Sequence, residues 1–307
     1  MLHEREQRRS SSVIHPQTAA EAAALYNDSA GEAVFVAGGT WLRTQWEAGT
    51  ARFPGQLIDL GRLPGISGIA ETSEGVTIGA MTTLSACRQS GLLRSDFPLL
   101  AEAARAIAAP SVRNLATIGG NVMCGGGDAL PALLVYEALL RFHDGKAPYS
   151  VRLADWLASP RKDAVLLGVE LPWPEAAAGA ELHSENKRLT AYHKVGRREA
   201  FTPSVVTVAI DGRLDAESGE WRDVRLAIAG GQTPPSRIAA AEDLLNNRKA
   251  GHGTLPEVYD IVMNEYEPHG DAFASVAYRK RTAANLVVAQ LWQAMNGCGA
   301  EEEGAAP

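Results

Sequence analysis

A strand-like run that stops on two glycines, Val36-Ala37-Gly38-Gly39-Thr40-Trp41, most constrains what this chain can become. Adjacent glycines admit positive φ and let another group approach the backbone closely. Successive peptide N–H groups in such a turn form a nest for phosphate oxygens, and Thr40 adds a hydroxyl donor. One such pair alone is better read as a tight strand–helix turn. A second step, Arg113-Asn114-Leu115-Ala116-Thr117-Ile118-Gly119-Gly120-Asn121, changes the balance. It sets Gly-Gly among a donor set of Arg113, Asn114, Thr117 and Asn121, and two such loops suit the two phosphates of a dinucleotide. No G-x-G-x-x-G follows the first strand, and no G-x-x-x-x-G-K-[ST] is present. A dinucleotide held here is held outside a Rossmann unit and outside a P-loop.

Around these steps the pattern is mixed. A helix is expected over residues 19–26, opened by Pro16-Gln17-Thr18. Short strands follow at 33–37 and 56–60, then at 66–70 and 76–80 around a polar turn. Helices are expected over 83–88 and 97–109, the latter ended by Pro110. Residues 111–128 read as mostly irregular, 131–137 as helix and 165–171 as strand. An Ala, Gly and Glu connector over 175–186 separates this part from strands at 189–195, 205–214 and 221–229. The last two strands form an antiparallel hairpin. Helices close the chain at 236–245, 255–266 and 273–295, with Val287, Leu291 and Met295 as a core stripe. The fold class is α+β in two units dividing near residue 185, with an acidic tail over 297–307.

Composition excludes several functions. With 46% hydrophobic and 21% charged residues over 307 positions, the chain has the makings of a globular core. Its net charge of −7 suits neither general nucleic-acid binding nor attachment to an anionic membrane. No segment reaches the ~18 apolar residues of a membrane helix. Arg8-Arg9 precedes no apolar export region, so the N-terminus reads as frayed and the protein as cytoplasmic. Cys87, Cys124 and Cys298 are sparse and form no CxxC. They argue for a reducing compartment and against an iron–sulfur cluster in this chain. Its seven histidines include no HExxH, and G-x-S-x-G is absent. No metal site and no catalytic nucleophile are expected.

The order and spacing of VAGGTW, LIDL, GVTIGAMTTL, SVRNLATIGGN and DALPALL resemble the FAD-binding (medium) subunits of molybdenum hydroxylases, of the carbon monoxide dehydrogenase and xanthine dehydrogenase type. The likeness continues into YHKVGRRE and SVAYRKR and covers roughly residues 14–296. It implies a two-lobed FAD-binding domain of the vanillyl-alcohol oxidase (PCMH) type over 1–185, then a small domain of three antiparallel strands plus helices over 186–296.

By the same resemblance, Val36, Ala37, Gly38, Gly39, Thr40, Trp41 and Leu42 wrap the pyrophosphate of non-covalent FAD, and Thr117, Gly120 and Asn121 form the second wall. Asp128 binds adenosine or ribose hydroxyls, unless it merely caps the next helix. Leu166 lines the flavin pocket, Tyr192 covers a ring face, and Lys194 stands at the pyrimidine edge. Tyr192 and Lys194 share strand parity, so both can face one cleft. Trp41 stands where a smaller or polar residue is common, and the connector Val-Met-Cys-Gly-Gly-Gly before Asp128 is shorter than usual. The implied function is electron transfer. A large molybdenum-cofactor subunit oxidises substrate, a small 2Fe-2S subunit carries the electrons, and this chain passes them to NAD or another acceptor. The implied assembly is a heterotrimer or its dimer. Two alternatives are a self-sufficient FAD-dependent oxidase or reductase, for which the stretch after 185 is a short cap, and a FAD-free scaffold.

Overall fold

The computed structural model describes residues 11–173, 187–196, 204–215, 217–231, 233–246 and 248–296. Helix α1 (Ala19–Asp28) starts where Thr18 accepts the Glu21 N–H at 3.1 Å, and its alanines Ala22 and Ala23 are fully buried. It packs on a parallel sheet of β1 (Ser12–Ile14), β2 (Ala33–Val36) and β3 (Gln56–Asp59), in the order β1-β3-β2. Helix α2 (Thr40–Glu47) leaves β2 through Gly38-Gly39. This lobe is small, and Ile58 and Val165 are its wholly buried anchors.

The second lobe begins with β4 (Ile69–Glu71) and β5 (Gly75–Gly79). A run of short helices follows: α3 (Leu84–Gln89), α4 (Gly91–Asp96), α5 (Pro98–Ala106), α6 (Pro110–Arg113), α7 (Ile118–Met123) and α8 (Leu130–Val135). Strands β6 (Leu139–His143) and β7 (Pro148–Arg152), helix α9 (Leu153–Ala158) and β8 (Val165–Pro172) complete it. The sheet is antiparallel in the order β4-β5-β8-β6-β7. Two expectations change here. Pro110 does not end a helix; α5 stops at Ala106, and Pro110 opens α6 at a position where its missing N–H costs nothing. Residues 111–128, expected to be irregular, hold α7, whose Gly119 and Gly120 are helical. The hairpin β6–β7 and α9 lie in a stretch that carried no expectation.

The last unit is an antiparallel sheet of β9 (Lys187–Gly196), β10 (Ser204–Leu214), β11 (Trp221–Gly230) and β12 (Thr233–Arg237). The three expected strands are present, β10 and β11 as the expected hairpin. The fourth, β12, carries Pro234-Pro235, which an edge strand tolerates. Helices α10 (Ala239–Asn246), α11 (Leu255–Glu265) and α12 (Val276–Asn296) cover one face, with Val287 and Leu291 fully buried and Met295 packed beside them. The other face sends Tyr192, Ala209 and Ala227 into the main core of the second lobe. The expected division near 185, the 175–186 connector, the N-terminal segment 1–10 and the acidic tail all lie outside the described residues.

Candidate cofactor site

Strand β2 aims the chain at Gly38-Gly39. Gly39 is the N-cap of α2 at φ 66°, a left-handed position that a glycine adopts at no steric cost. It has no side chain with which to cap, so the first-turn N–H groups of Thr40, Trp41 and Leu42 stay open to a ligand. A helix N-terminus of this kind favours negative charge. Val36, Ala37 and Gly38 are half-buried and Trp41 is exposed. Gly38 is pressed against the second glycine step. A Cβ placed there would collide with the carbonyl of Leu115. The two steps, 80 residues apart in a rough count along the chain, therefore meet backbone to backbone.

The second step differs from a nest. The N–H of Ile118 donates to Thr82 O at 2.9 Å and that of Gly119 to Ala80 O at 2.9 Å. Gly120 N–H donates to Thr117 Oγ1 at 3.0 Å, and Asn121 N–H to Thr117 O at 3.0 Å. The first two donors are spent in docking α7 against the exit of β5, the other two in the helix's own capping turn. What remains for a ligand is the Thr117 hydroxyl proton and the Asn121 amide, whose Oδ1 already accepts Ala129 N–H at 3.1 Å. Gly120 is exposed beside them. The close approach belongs to Gly119, which the sequence reading passed over: a Cβ there would sit 2.7 Å from Ala80 O. One of the expected donors, Arg113, is committed elsewhere, and Asn114 has its amide oxygen engaged. Arg113 is buried and its Nη1 donates to the carbonyls of Arg105 (3.1 Å), Ile107 (2.9 Å) and Ala108. Asn114 Oδ1 accepts from Ser85 Oγ at 2.5 Å.

A third group lies where β9 meets the second lobe. Lys194 Nζ is 2.6 Å from Asp128 Oδ2, with side chains only 6% and 11% exposed. Lys194 also reaches Ala106 O at 3.4 Å, and Tyr192 OH donates to Asp128 O at 2.8 Å. Burial first, and then the Asp128 charge, push the Tyr192 phenol well above its usual pKa. The parity expectation holds, since Tyr192 and Lys194 pair with Ala209 and Thr207 of β10 from the same face. The sequence reading assigned Asp128 and Lys194 to different parts of a dinucleotide, whereas the fold joins them in one ion pair. Leu166, on β8 opposite Phe142, is buried in the main core. Among the described residues, no group of three His, Cys, Asp or Glu could hold a metal ion.

An uncapped helix start, a glycine contact too close for any side chain and two lobes meeting there fit a dinucleotide pyrophosphate. They define a dinucleotide-binding chain that is neither Rossmann nor P-loop. Residues 8–174 match the family described as FAD binding domain in molybdopterin dehydrogenase, and residues 190–294 match the CO dehydrogenase flavoprotein C-terminal domain. The chain belongs to the FAD-binding subunits of the molybdenum-containing dehydrogenases, a family of oxidoreductases. It is 27% identical to the putative xanthine dehydrogenase FAD-binding subunit of Escherichia coli K12, over 92% of this chain and 95% of that one. It is 37% identical to the carbon monoxide dehydrogenase medium chain of Afipia carboxidovorans, over 68% of this chain and 75% of that one. The solved carbon monoxide dehydrogenase from Hydrogenophaga pseudoflava that lacks the Mo-pyranopterin moiety matches with a TM-score of 0.83 at 25% identity, covering 94% of this chain and 98% of that one.

Proposed function

We propose that this chain is the electron-relaying flavoprotein of a three-subunit molybdenum hydroxylase. A large subunit with the molybdenum cofactor oxidises the organic substrate, and a small 2Fe-2S subunit delivers the electrons here for transfer to NAD or another acceptor. The observation that carries the reading is the open N-terminus of α2 on Gly38-Gly39, pressed against the second glycine step. FAD supplies the conversion between one-electron and two-electron transfer.

The chain's own residues bind and position. Residues 36–42 receive the pyrophosphate through backbone N–H groups. Thr117, Gly120 and Asn121 close the other side with a hydroxyl, a flat surface and an amide. Tyr192 and the Asp128–Lys194 pair form one polar cluster at the isoalloxazine, and Leu166 supports that end from the core. Residues 1–185 act as the flavin unit and 186–296 as the closing unit. Among the described residues no helix is long and apolar enough to cross a membrane, and with so few cysteines we place the protein in the cytoplasm.

The test is purification of the chain alone and with its neighbours. Alone it should show flavin absorbance and neither iron nor molybdenum, and gain electrons from substrate only when both partners are present. Reduction of the isolated chain by an aldehyde or purine would overturn the relay reading.

A further inference from the structure

Five buried side-chain polar atoms make no hydrogen bond among the described residues, and one of them, Thr207 Oγ1, belongs to the sheet that carries Tyr192 and Lys194. Thr207 is fully buried on β10. It stands directly opposite Lys194 in the β9–β10 register, while Tyr192 stands opposite Ala209. Thr207 is therefore the diagonal cross-strand neighbour of Tyr192, on the face that packs against the second lobe. Neighbours so placed come within reach of an aromatic side chain. The phenol has capacity for a second bond. Its proton goes to Asp128 O at 2.8 Å, and its oxygen remains an acceptor. Burial and then the Asp128 charge push this phenol up, and the Thr207 hydroxyl pulls against both. Valine has the same shape as threonine, so packing alone does not call for a hydroxyl here. An unmatched one costs its desolvation, and such groups are rare in native cores.

We propose that Thr207 is a positioning residue of the flavin end: with FAD bound, its hydroxyl donates to the Tyr192 oxygen and fixes that ring between Thr207 and the Asp128 carbonyl. Thr207 touches no cofactor atom and transfers no proton; it acts through Tyr192. The inference rests on the flavin reading, which places Tyr192 at the isoalloxazine. It accounts for a hydroxyl that is wholly buried, faces the phenol and is otherwise unmatched.

The test is a double-mutant cycle on the full chain loaded with FAD, comparing wild type, Thr207→Val, Tyr192→Phe and the double variant. The rise of flavin fluorescence follows FAD release. Thr207→Val should release FAD about three- to tenfold faster, as loss of one hydrogen bond does. Tyr192→Phe should do at least as much, and the double variant no more than Tyr192→Phe alone. Thr207→Ser, which keeps the hydroxyl, should stay near wild type. Stripped of FAD, Thr207→Val should melt at or above the wild-type midpoint, because it removes an unmatched hydroxyl and leaves no cavity. The two readouts thus move in opposite senses, which a purely structural threonine would not produce. Equal release rates in wild type and Thr207→Val, with FAD bound to both, would overturn the proposal and leave the flavin reading standing. Additive effects in the double variant would also overturn it, because Thr207 would then not act through the phenol. A stripped Thr207→Val chain that melts well below wild type would make the hydroxyl ordinary core. A wild-type chain that takes up no FAD would overturn the flavin reading itself, and this inference with it.

Discussion

Gly38 and Gly39 are adjacent, yet each is required for a different reason. At Gly38 the obstacle is space, because a Cβ would strike Leu115 O; at Gly39 it is φ, since the nearest side-chain atom lies 3.8 Å away. Gly38→Ala should cost about 3 kcal/mol of stability and most bound FAD, since the two glycine steps must part. Gly39→Ala should cost about 1–2 kcal/mol, and Gly39→Asn less, because Asn tolerates the left-handed region. Thermal melts and flavin absorbance per chain check both; equal behaviour of Gly38→Ala and Gly39→Asn would contradict the contact. The Asp128–Lys194 pair makes a second prediction. Lys194→Met strands a nearly buried carboxylate and should cost about 3–5 kcal/mol, much of it recovered in Lys194→Met/Asp128→Leu. The single changes should move the flavin potential in opposite directions. Losing the cation lowers it, while Asp128→Asn unmasks the cation and raises it; a redox titration of FAD-loaded variants reads the sign.

At the scale of elements, the second glycine step depends on a side chain outside it. Arg113, on α6, fastens the carbonyls at the end of α5, where Ala108 adopts a φ of 48°. Arg113→Met leaves these carbonyls without their donor and should cost about 2–5 kcal/mol by denaturant titration, with flavin affinity falling as α7 loosens. Arg113→Lys should recover part of the stability only, since one ammonium cannot copy the guanidinium fork. Helix α3 carries an alkaline weakness. Cys87 is fully buried on it, and burial pushes its thiol up to about 12. The folded chain therefore keeps this proton where the unfolded chain has lost it. That contribution is complete below about pH 9 and is lost as pH rises toward about 12. Denaturation midpoints between pH 8 and 11 should fall less steeply in Cys87→Ala than in wild type, from whatever midpoint the small cavity leaves at pH 8.

Across the whole molecule, the C-terminal sheet does not stand alone. Tyr192, Ala209 and Ala227 complete the core beneath α5 and α8, and Glu137 bridges Arg225 at 3.1 Å and Arg237 at 2.9 Å. A protease site engineered between residues 174 and 186 should, once cut, leave two fragments that elute together and melt in one transition. Independent elution in native buffer would mean the shared core is too weak to join the units.

Local chemistry alone determined a good part of this. Thr18 before an alanine run made α1, apolar runs on either side of a polar turn made β10 and β11, and the paired glycine steps marked a non-Rossmann dinucleotide binder of a recognisable family. These features depend on neighbours in the chain, so periodicity and motif spacing expose them. Tertiary structure alone decided which donors stay available. Arg113 and the N–H groups of α7 look like phosphate ligands in sequence, but Ala80 and Thr82, far along the chain, take the N–H groups of Gly119 and Ile118, and the end of α5 takes Arg113. It alone decided that Asp128 and Lys194 form one pair, because only the packing of β9 against the second lobe brings positions 128 and 194 together. The physical reason is common to both cases. A hydrogen-bonding group is shown by its residue type, but whether it is free for a ligand depends on what else is folded within about 3 Å of it.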